Sequence, residues 1–202
     1  MKEESVVFPS GGIRIEGRLA RSEGNRAVVI CHPHPQMGGS MDNNVVETLV
    51  VAYGGAGFTT LRFNFRGAGR SGGSYDEGRG ERDDVLAAVA FLAGEGFGNT
   101  ELAGYSFGAW VISRVLAVPG MAFPSVFVSP PAGFMEFDFS GWPGNVRLVT
   151  AGDRDPYLDQ TLVRAEARRA GADFEIIPGA DHFYMGKERL LLDIVRKRLS
   201  LS

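Results

Sequence analysis

The residue best suited to chemistry in this chain is Ser106, which has Gly104 two residues before it and Gly108 two residues after it. The apolar residues before Ser106 predict a short strand, and those after it predict a helix that begins near Phe107. A serine on such a strand-to-helix turn crowds its neighbours, so small residues are needed at both glycine positions. Its hydroxyl then stands clear of the sheet edge, and the N–H of Phe107 points to where an oxyanion would form. The pattern indicates a nucleophilic serine, with an ordinary glycine-rich turn as the alternative.

A serine hydroxyl needs a base to remove its proton, and the chain offers only three histidines, His32, His34 and His182. His182 follows a strand predicted over residues 174–177 and a Pro-Gly-Ala-Asp turn, just before the last predicted helix. In a parallel sheet, this position lies on a loop at the carboxyl edge, where ligands bind. His182 is therefore placed to act as a general base, and the alternative is a histidine that caps the last helix or lies on a solvated loop.

The base in turn needs a carboxylate that holds its tautomer, and two follow the strand predicted over residues 147–151. They are Asp153 and Asp155. Pro156 favours an extended backbone at Asp155 and suits the start of a helix, so the carboxylate of Asp155 can project from the turn. Asp153 is more typical of a turn or cap residue. Asp181 adjoins His182 in sequence and would reach its ring only with poor geometry.

The elements that must position these side chains alternate along the chain in a regular way. Strands are predicted over residues 5–8, 13–20, 27–31, 60–65, 101–104, 126–129, 147–151 and 174–177, and helices over 44–53, 82–92, from 107, 158–169 and 187–199. The first two strands read as a hairpin, and the continuous apolar run 27–31 is typical of a strand covered on both faces. We therefore expect an α/β fold of one domain, residues 1–202, with a mostly parallel central sheet and helices on both faces.

The amino-acid composition and charge of the chain argue against several classes of function. The 202 residues are 44% hydrophobic and 22% charged, with a net charge of −3. Because Lys and Arg are scattered among Asp and Glu, no basic face for nucleic acid or anionic lipid is evident, and no cluster of basic residues marks a charged substrate. The start of the chain lacks the apolar run of a signal peptide, and no segment is long enough to span a bilayer. The single Cys31 is expected in the core, and we expect a cytoplasmic protein.

These motifs together resemble the α/β-hydrolase family, and specifically its small bacterial members without a lid. The resemblance covers nearly the whole chain: Gly-x-Ser-x-Gly at 104–108, His-Pro-His-Pro at 32–35, Arg-Gly-x-Gly-x-Ser at 66–71, Gly-x-x-Asp at 152–155 and the late histidine occur in the family's order. The resemblance implies a catalytic triad of Ser106, Asp155 and His182. It selects Asp155 because the acid follows Gly152 in Gly-x-x-Asp. It also implies a site that needs neither cofactor nor metal.

The family takes its second oxyanion donor from the loop after the strand that precedes the first long helix. Here that loop contains Pro33 and Pro35, which have no N–H, so the resemblance points to His34, with Gln36 as the next candidate. His32 and His34 also stand one residue apart, as a metal pair would, but no third ligand follows at metal-site spacing. We therefore expect a hydrogen-bonded structural role for His32.

A lid, where the family has one, is commonly inserted between the strand after the serine helix and the strand that leads to the acid. The corresponding segment, residues 130–145, is too short for a helical cap, so an open site is expected. Some of its aromatic residues are expected to pack against the core, and one or two others to form a wall that contacts an acyl or alkyl group of the substrate. Phe134, Phe183 and Met37 are the expected substrate contacts.

A second glycine motif, Gly-x-Gly-x-x-Gly at residues 67–72, is also found in dinucleotide-binding turns. Such a turn opens directly into a helix, whereas residues 73–78 continue as a loop, and no acid ends a following strand at the expected distance. A nucleotide is therefore not expected, and Arg66 before this loop is interpreted as structural.

The sequence thus predicts a serine hydrolase that cleaves a small carboxylic ester or thioester through an acyl-enzyme on Ser106. A peptidase or acyl-peptide hydrolase on the same triad is the alternative within the enzyme class. The alternative that is not an enzyme is a binding protein that has kept the fold and lost catalytic turnover. The expected partner is a small-molecule ester or thioester, and the oligomeric state is left open.

Overall fold

The computed structural model describes residues 2–200, which form one eight-stranded sheet and five α-helices. The strands are β1 (Glu4–Ser10), β2 (Ile13–Ala20), β3 (Arg26–Cys31), β4 (Thr59–Phe63), β5 (Asn99–Tyr105), β6 (Ser125–Val128), β7 (Val146–Gly152) and β8 (Asp173–Ile177). The helices are α1 (Asn44–Gly55), α2 (Arg79–Gly94), α3 (Phe107–Leu116), α4 (Gln160–Ala170) and α5 (Glu188–Leu199), with a short 3-10 helix at Pro35–Met37.

The strand order is β1-β2-β4-β3-β5-β6-β7-β8, and only the first two pairings are antiparallel. β3 pairs in parallel with both β4 and β5, and every later pairing is also parallel. This confirms the predicted mostly parallel sheet. Because the carboxyl ends of β3, β5, β7 and β8 lie at one edge, the loops that follow them are gathered on the same side of the molecule.

Two apolar clusters, one on each face of the sheet, hold the helices in place. Along β3, Val29 and Cys31 belong to the cluster that packs with α2, α3 and α4, whereas Val28 and Ile30 belong to the cluster that packs with α1 and α5. This alternation is expected for a strand that is buried on both faces. Cys31 is fully buried, and burial raises the pKa of its thiol, so its role is core packing as predicted.

Of the element boundaries that differ from the predictions, three can be explained by a hydrogen bond. The strand predicted to reach residue 65 ends with β4 at 63, because the N–H of Phe65 leaves the sheet and donates to Nε2 of His32 (3.0 Å). α2 begins at residue 79 rather than 82, since the Glu81 carboxylate accepts the N–H of Gly78 (2.8 Å). α4 begins at residue 160 rather than 158, where Asp159 caps it.

The segment between β6 and β7 carries no helix, so the carboxyl edge is not covered by a cap. Within it, Trp142 and Phe137 are buried against the core next to Phe127, and Phe134 is exposed. Part of this segment therefore packs against the core, as expected, and part is exposed at Phe134. Among residues 2–200, no helix has the length and apolarity that crossing a membrane requires.

Candidate active site

Ser106 occupies a sharp turn between β5 and α3 with backbone angles of φ 55° and ψ −117°, a conformation that costs free energy for any residue with a Cβ. The close approach of neighbouring backbone explains both glycines. A Cβ on Gly104 would lie 2.5 Å from the nitrogen of Ala109, and one on Gly108 would lie 2.3 Å from the carbonyl oxygen of Cys31. The predicted turn is therefore present, and it presses the start of α3 against the end of β3.

The three side chains that the sequence singled out are in contact. Nε2 of His182 lies 2.9 Å from Oγ of Ser106, and Nδ1 of His182 lies 2.8 Å and 2.9 Å from the two carboxylate oxygens of Asp155. All three residues are buried. Because a carboxylate only accepts hydrogen bonds, the ring proton belongs on Nδ1, which leaves the Nε2 lone pair free to accept the Ser106 proton. The arrangement can therefore generate a serine nucleophile.

The two other candidate acids lie outside this chain of contacts. The Asp153 carboxylate accepts the N–H of Gly179 (2.7 Å) and so ties the loop after β7 to the loop after β8. The Asp181 carboxylate accepts the N–H groups of Phe183 (2.9 Å) and Tyr184 (3.1 Å). Both carboxylates shape the loops that carry the site, as the turn and neighbour roles predicted for them require.

Two tyrosines that sequence reasoning missed hold the His182 loop. The hydroxyl of Tyr105 donates to the carbonyl oxygen of His182 (2.7 Å), and the Tyr157 ring meets the His182 ring edge-on at 4.8 Å. Burial raises the pKa of Tyr105, so its hydroxyl remains a donor across the working pH range. Tyr105 directly precedes Ser106, but the turn motif gives no indication of its contact with His182, which lies 77 residues further along the chain. No sequence signal points to Tyr157, because its contact is made only in the folded chain.

Two backbone N–H groups next to the serine are available as oxyanion donors. Phe107 is the first residue of α3, so its N–H has no acceptor within the helix. Within residues 2–200, no acceptor is bonded to the N–H of His34, whereas the N–H of Gln36 donates to Nδ1 of His34 (3.3 Å). The His34 and Phe107 rings are in contact at 4.7 Å. Of these two candidates, His34 is therefore the one whose N–H is not already bonded within the described residues.

His32 is held entirely by backbone groups. Its Nε2 accepts the N–H of Phe65 (3.0 Å), and its Nδ1 lies 2.6 Å from the carbonyl oxygen of Pro33. Since both ring nitrogens are used, neither is available to a metal ion, and the structural role predicted for His32 is confirmed. Burial lowers its pKa to about 4, so the ring is neutral at physiological pH.

The buried His32 should make the free energy of unfolding depend on pH. Between about pH 6.5 and pH 4, the unfolded chain binds a proton at this imidazole that the folded chain does not bind, so stability falls as the pH falls. The pKa difference between the two states lowers the free energy of unfolding by about 3 kcal/mol at the acid end of this range. Urea unfolding of the wild type and of His32→Gln, measured across this range, should show a shallower decline in the variant. Parallel curves would contradict the low pKa of His32.

A cavity of about 320 Å³ opens directly beside Ser106 and His182. Met37, Phe134 and Phe183, the three residues predicted to contact substrate, all line it and are 74%, 63% and 56% exposed. They form an apolar rim that is open to solvent. A small acyl or alkyl group can enter from this side without displacing a lid.

The glycine-rich loop after β4 is built around an ion pair. The Arg66 guanidinium contacts the buried Asp84 carboxylate through Nη2 (2.8 Å) and Nε (3.1 Å), and its backbone N–H donates to the same carboxylate (3.0 Å). The loop continues to Gly78 before α2 begins. These contacts confirm the structural role predicted for Arg66, and the motif does not open into a helix as a dinucleotide-binding turn would.

The fold and the site together define a class of protein: a single-domain α/β fold without a lid, with a serine, a histidine and a carboxylate in contact at the carboxyl edge of the sheet. No protein-family model matches the chain. An uncharacterised protein of Rickettsia prowazekii is 33% identical to it over 200 residues, covering 90% of this chain and 82% of that protein.

Solved structures give a more informative comparison. An α/β serine hydrolase homologue from Coxiella burnetii is 32% identical, with a TM-score of 0.88 and 98% of each chain covered. An α/β serine hydrolase without a lid from Xanthomonas campestris is 29% identical, with a TM-score of 0.86, 99% of this chain covered and 94% of that one. The chain therefore belongs to the α/β-hydrolase family, and these relatives support a hydrolase as its broad class.

Proposed function

We propose that this protein is a serine hydrolase that cleaves small carboxylic esters or thioesters through an acyl-enzyme on Ser106. The observation that carries the proposal is the unbroken line of contacts from the Asp155 carboxylate through the His182 ring to the Ser106 hydroxyl, at the wall of an open apolar cavity. A buried carboxylate, an imidazole and a hydroxyl in this order are the parts that acyl transfer requires.

The proposed reaction begins with attack of Oγ of Ser106 on the substrate carbonyl carbon, while Nε2 of His182 takes the hydroxyl proton. Asp155 stabilises the imidazolium that forms. The N–H groups of Phe107 and His34 hold the oxyanion of the tetrahedral intermediate. His182 then returns the proton to the leaving oxygen or sulfur, and the acyl group remains on Ser106. A water molecule, deprotonated by His182, attacks the acyl-enzyme and releases the acid.

The size and lining of the cavity support a small substrate. A volume of about 320 Å³ lies at the lower end of the range for small-molecule sites, and its walls are mainly apolar. The open rim at Met37 and Phe183 leaves part of the substrate exposed to solvent. We infer that the acyl group is short or that a longer group extends beyond the cavity.

A fluorophosphonate probe should label the purified protein at Ser106, because the probe reacts covalently only with an activated serine. A panel of short p-nitrophenyl esters, acyl thioesters and peptide p-nitroanilides then separates the substrate classes, and we expect turnover of the first two. Label identified by peptide mass spectrometry at another residue, or no label at all, would contradict the proposal. Turnover of the peptides alone would replace the esterase with a peptidase.

A further inference from the structure

A second cavity, of about 1050 Å³, lies beside the catalytic one and shares His34, Phe134 and Met135 with it. Its remaining walls come from the loop before α2, from α2, from α3 and the residues just after it, from α4, and from the segment between β6 and β7. Because the two cavities have these three residues in common, they are direct neighbours. The proposed function leaves this second cavity without a role.

A row of aromatic rings connects the site of the reaction with this cavity. The Phe107 ring contacts the His34 ring at 4.7 Å and the Trp110 ring at 5.4 Å, and the Tyr75 ring lies 4.9 Å from that of His34. Trp110 is fixed in place because its indole N–H donates to the carbonyl oxygen of Glu136 (2.7 Å). Phe107 and Trp110 are buried, so an alkyl or aryl group can reach mainly the half-buried rings of His34 and Tyr75, which the row holds in place.

Three arginines that are far apart in the sequence line the second cavity: Arg82 from α2, Arg114 from α3 and Arg169 from α4. The sequence shows no basic cluster, because only the packing of these helices against one face of the sheet brings the arginines together. Arg169 is paired with Glu166 in its own helix, and Arg82 approaches Asp83 at 4.0 Å. Arg114 forms no ion pair at contact distance within residues 2–200, but it lies near enough to Asp138 for its charge to help lower the pKa of that carboxylate.

The Arg114 guanidinium lies over the Trp110 ring, with its carbon 4.8 Å from the ring centroid. Stacking on an aromatic face fixes the plane of a guanidinium and leaves the N–H groups at its edge free for an anion. The steps of 5.4 Å and 4.8 Å along the row put the guanidinium carbon at most about 10 Å from the Phe107 ring. A linker of about this length would join a group at Arg114 to an ester beside Phe107, the residue that follows Ser106.

The charge of the cavity limits the anion it can hold. Glu136 and Asp138 also line the cavity, and the Asp138 carboxylate accepts the N–H of Ser140 (2.9 Å). With two acids facing the arginines, the cavity is not strongly positive overall. It offers the unpaired donors of one guanidinium, which fit a single carboxylate, whereas a polyanion would meet the repulsion of both acids.

We propose that the substrate of this enzyme carries a carboxylate at the end remote from the scissile bond, and that Arg114 binds this carboxylate in the second cavity. The inference rests on the proposed function and adds a substrate class to it: esters or thioesters of monoanionic, partly apolar compounds. Such a carboxylate can be on the acyl side or on the alcohol side of the ester, and the two arms of the experiment distinguish them.

The experiment compares kcat/KM for matched anionic and neutral substrates. The acyl-side pair is the p-nitrophenyl monoester of suberic acid and its methyl-capped diester, and the alcohol-side pair is p-butanoyloxybenzoate and its methyl ester. For each pair, the ratio is kcat/KM for the anionic substrate divided by kcat/KM for the neutral one. In Arg114→Gln we expect this ratio to fall about five- to tenfold for one of the two pairs. Arg114→Lys should keep part of the ratio. Arg168→Gln, which removes an exposed arginine of α4 outside the cavity, should leave the ratio at the wild-type value.

The outcomes separate this inference from the proposed function. Wild-type ratios in Arg114→Gln for both pairs, or an equal fall in Arg168→Gln, would overturn the inference while ester turnover continued. Absence of turnover for all four esters in the wild-type protein would overturn both. Should Arg114→Gln fail to fold, salt provides the second measurement: added sodium chloride should lower the wild-type ratio, and a ratio that does not respond to salt would overturn the inference.

Discussion

Ser106→Ala is expected to lower the turnover of a short p-nitrophenyl ester by about ten-thousandfold or more. The variant has no oxygen to attack the carbonyl, and His182 has no hydroxyl to deprotonate at 2.9 Å from its Nε2. The cavity and the proposed oxyanion donors stay in place, so a small residual rate from binding and polarisation is expected. The measurement is kcat with substrate in excess, together with the loss of fluorophosphonate labelling. Wild-type turnover in this variant would mean that a different group carries the reaction.

Ser106→Gly supplies a matched control that separates chemistry from folding. Alanine keeps the backbone strain at φ 55°, whereas glycine adopts this conformation without a steric penalty. Both variants should be inactive, but Ser106→Gly should have a free energy of unfolding about 1 kcal/mol above that of Ser106→Ala, after the entropy cost of glycine is subtracted. Equal stabilities in urea unfolding would show that the turn at Ser106 stores no strain.

The candidate site could be predicted from sequence because each of its parts leaves a local signal. The turn at Ser106 requires glycines two residues away on both sides, and Asp155 and His182 each follow an apolar strand. Once the sheet is known to be parallel, strand ends that are distant in the chain must lie at one edge. The choice of His34 as an oxyanion donor followed from the lack of an N–H in Pro33 and Pro35.

What the sequence could not predict depends on contacts between distant segments. The hydroxyl of Tyr105 reaches the carbonyl oxygen of His182, 77 residues away, and β4 ends where it does because Phe65 bonds to His32. The spacing of apolar residues in the sequence does not indicate hydrogen bonds of this kind. The arginines of the second cavity are likewise scattered in sequence, and their shared position follows from helix packing alone.

Asp155→Asn is the second substitution with a large expected effect, a loss of about a thousandfold to ten-thousandfold in kcat. The Asp155 carboxylate holds the ring proton of His182 on Nδ1 through contacts of 2.8 Å and 2.9 Å. A carboxamide can instead donate its N–H to Nδ1, which moves the ring proton to Nε2 and leaves no lone pair to accept the Ser106 proton. The amide also lacks the charge that stabilises the imidazolium. The measurement is kcat for the same ester across neutral pH.

Asp153→Asn is the matched control, since it removes one carboxylate charge from the same loop. The Asp153 side chain is exposed, and the one hydrogen bond it accepts from residues 2–200 is that of the Gly179 N–H at 2.7 Å, which an asparagine carbonyl can still accept. Its kcat should therefore stay within about threefold of the wild-type value, because a surface charge at this position is screened by solvent. Equal losses in the two variants would mean that loss of charge on the loop, rather than contact with His182, lowers the rate. In that case the assignment of Asp155 as the acid would have to be withdrawn.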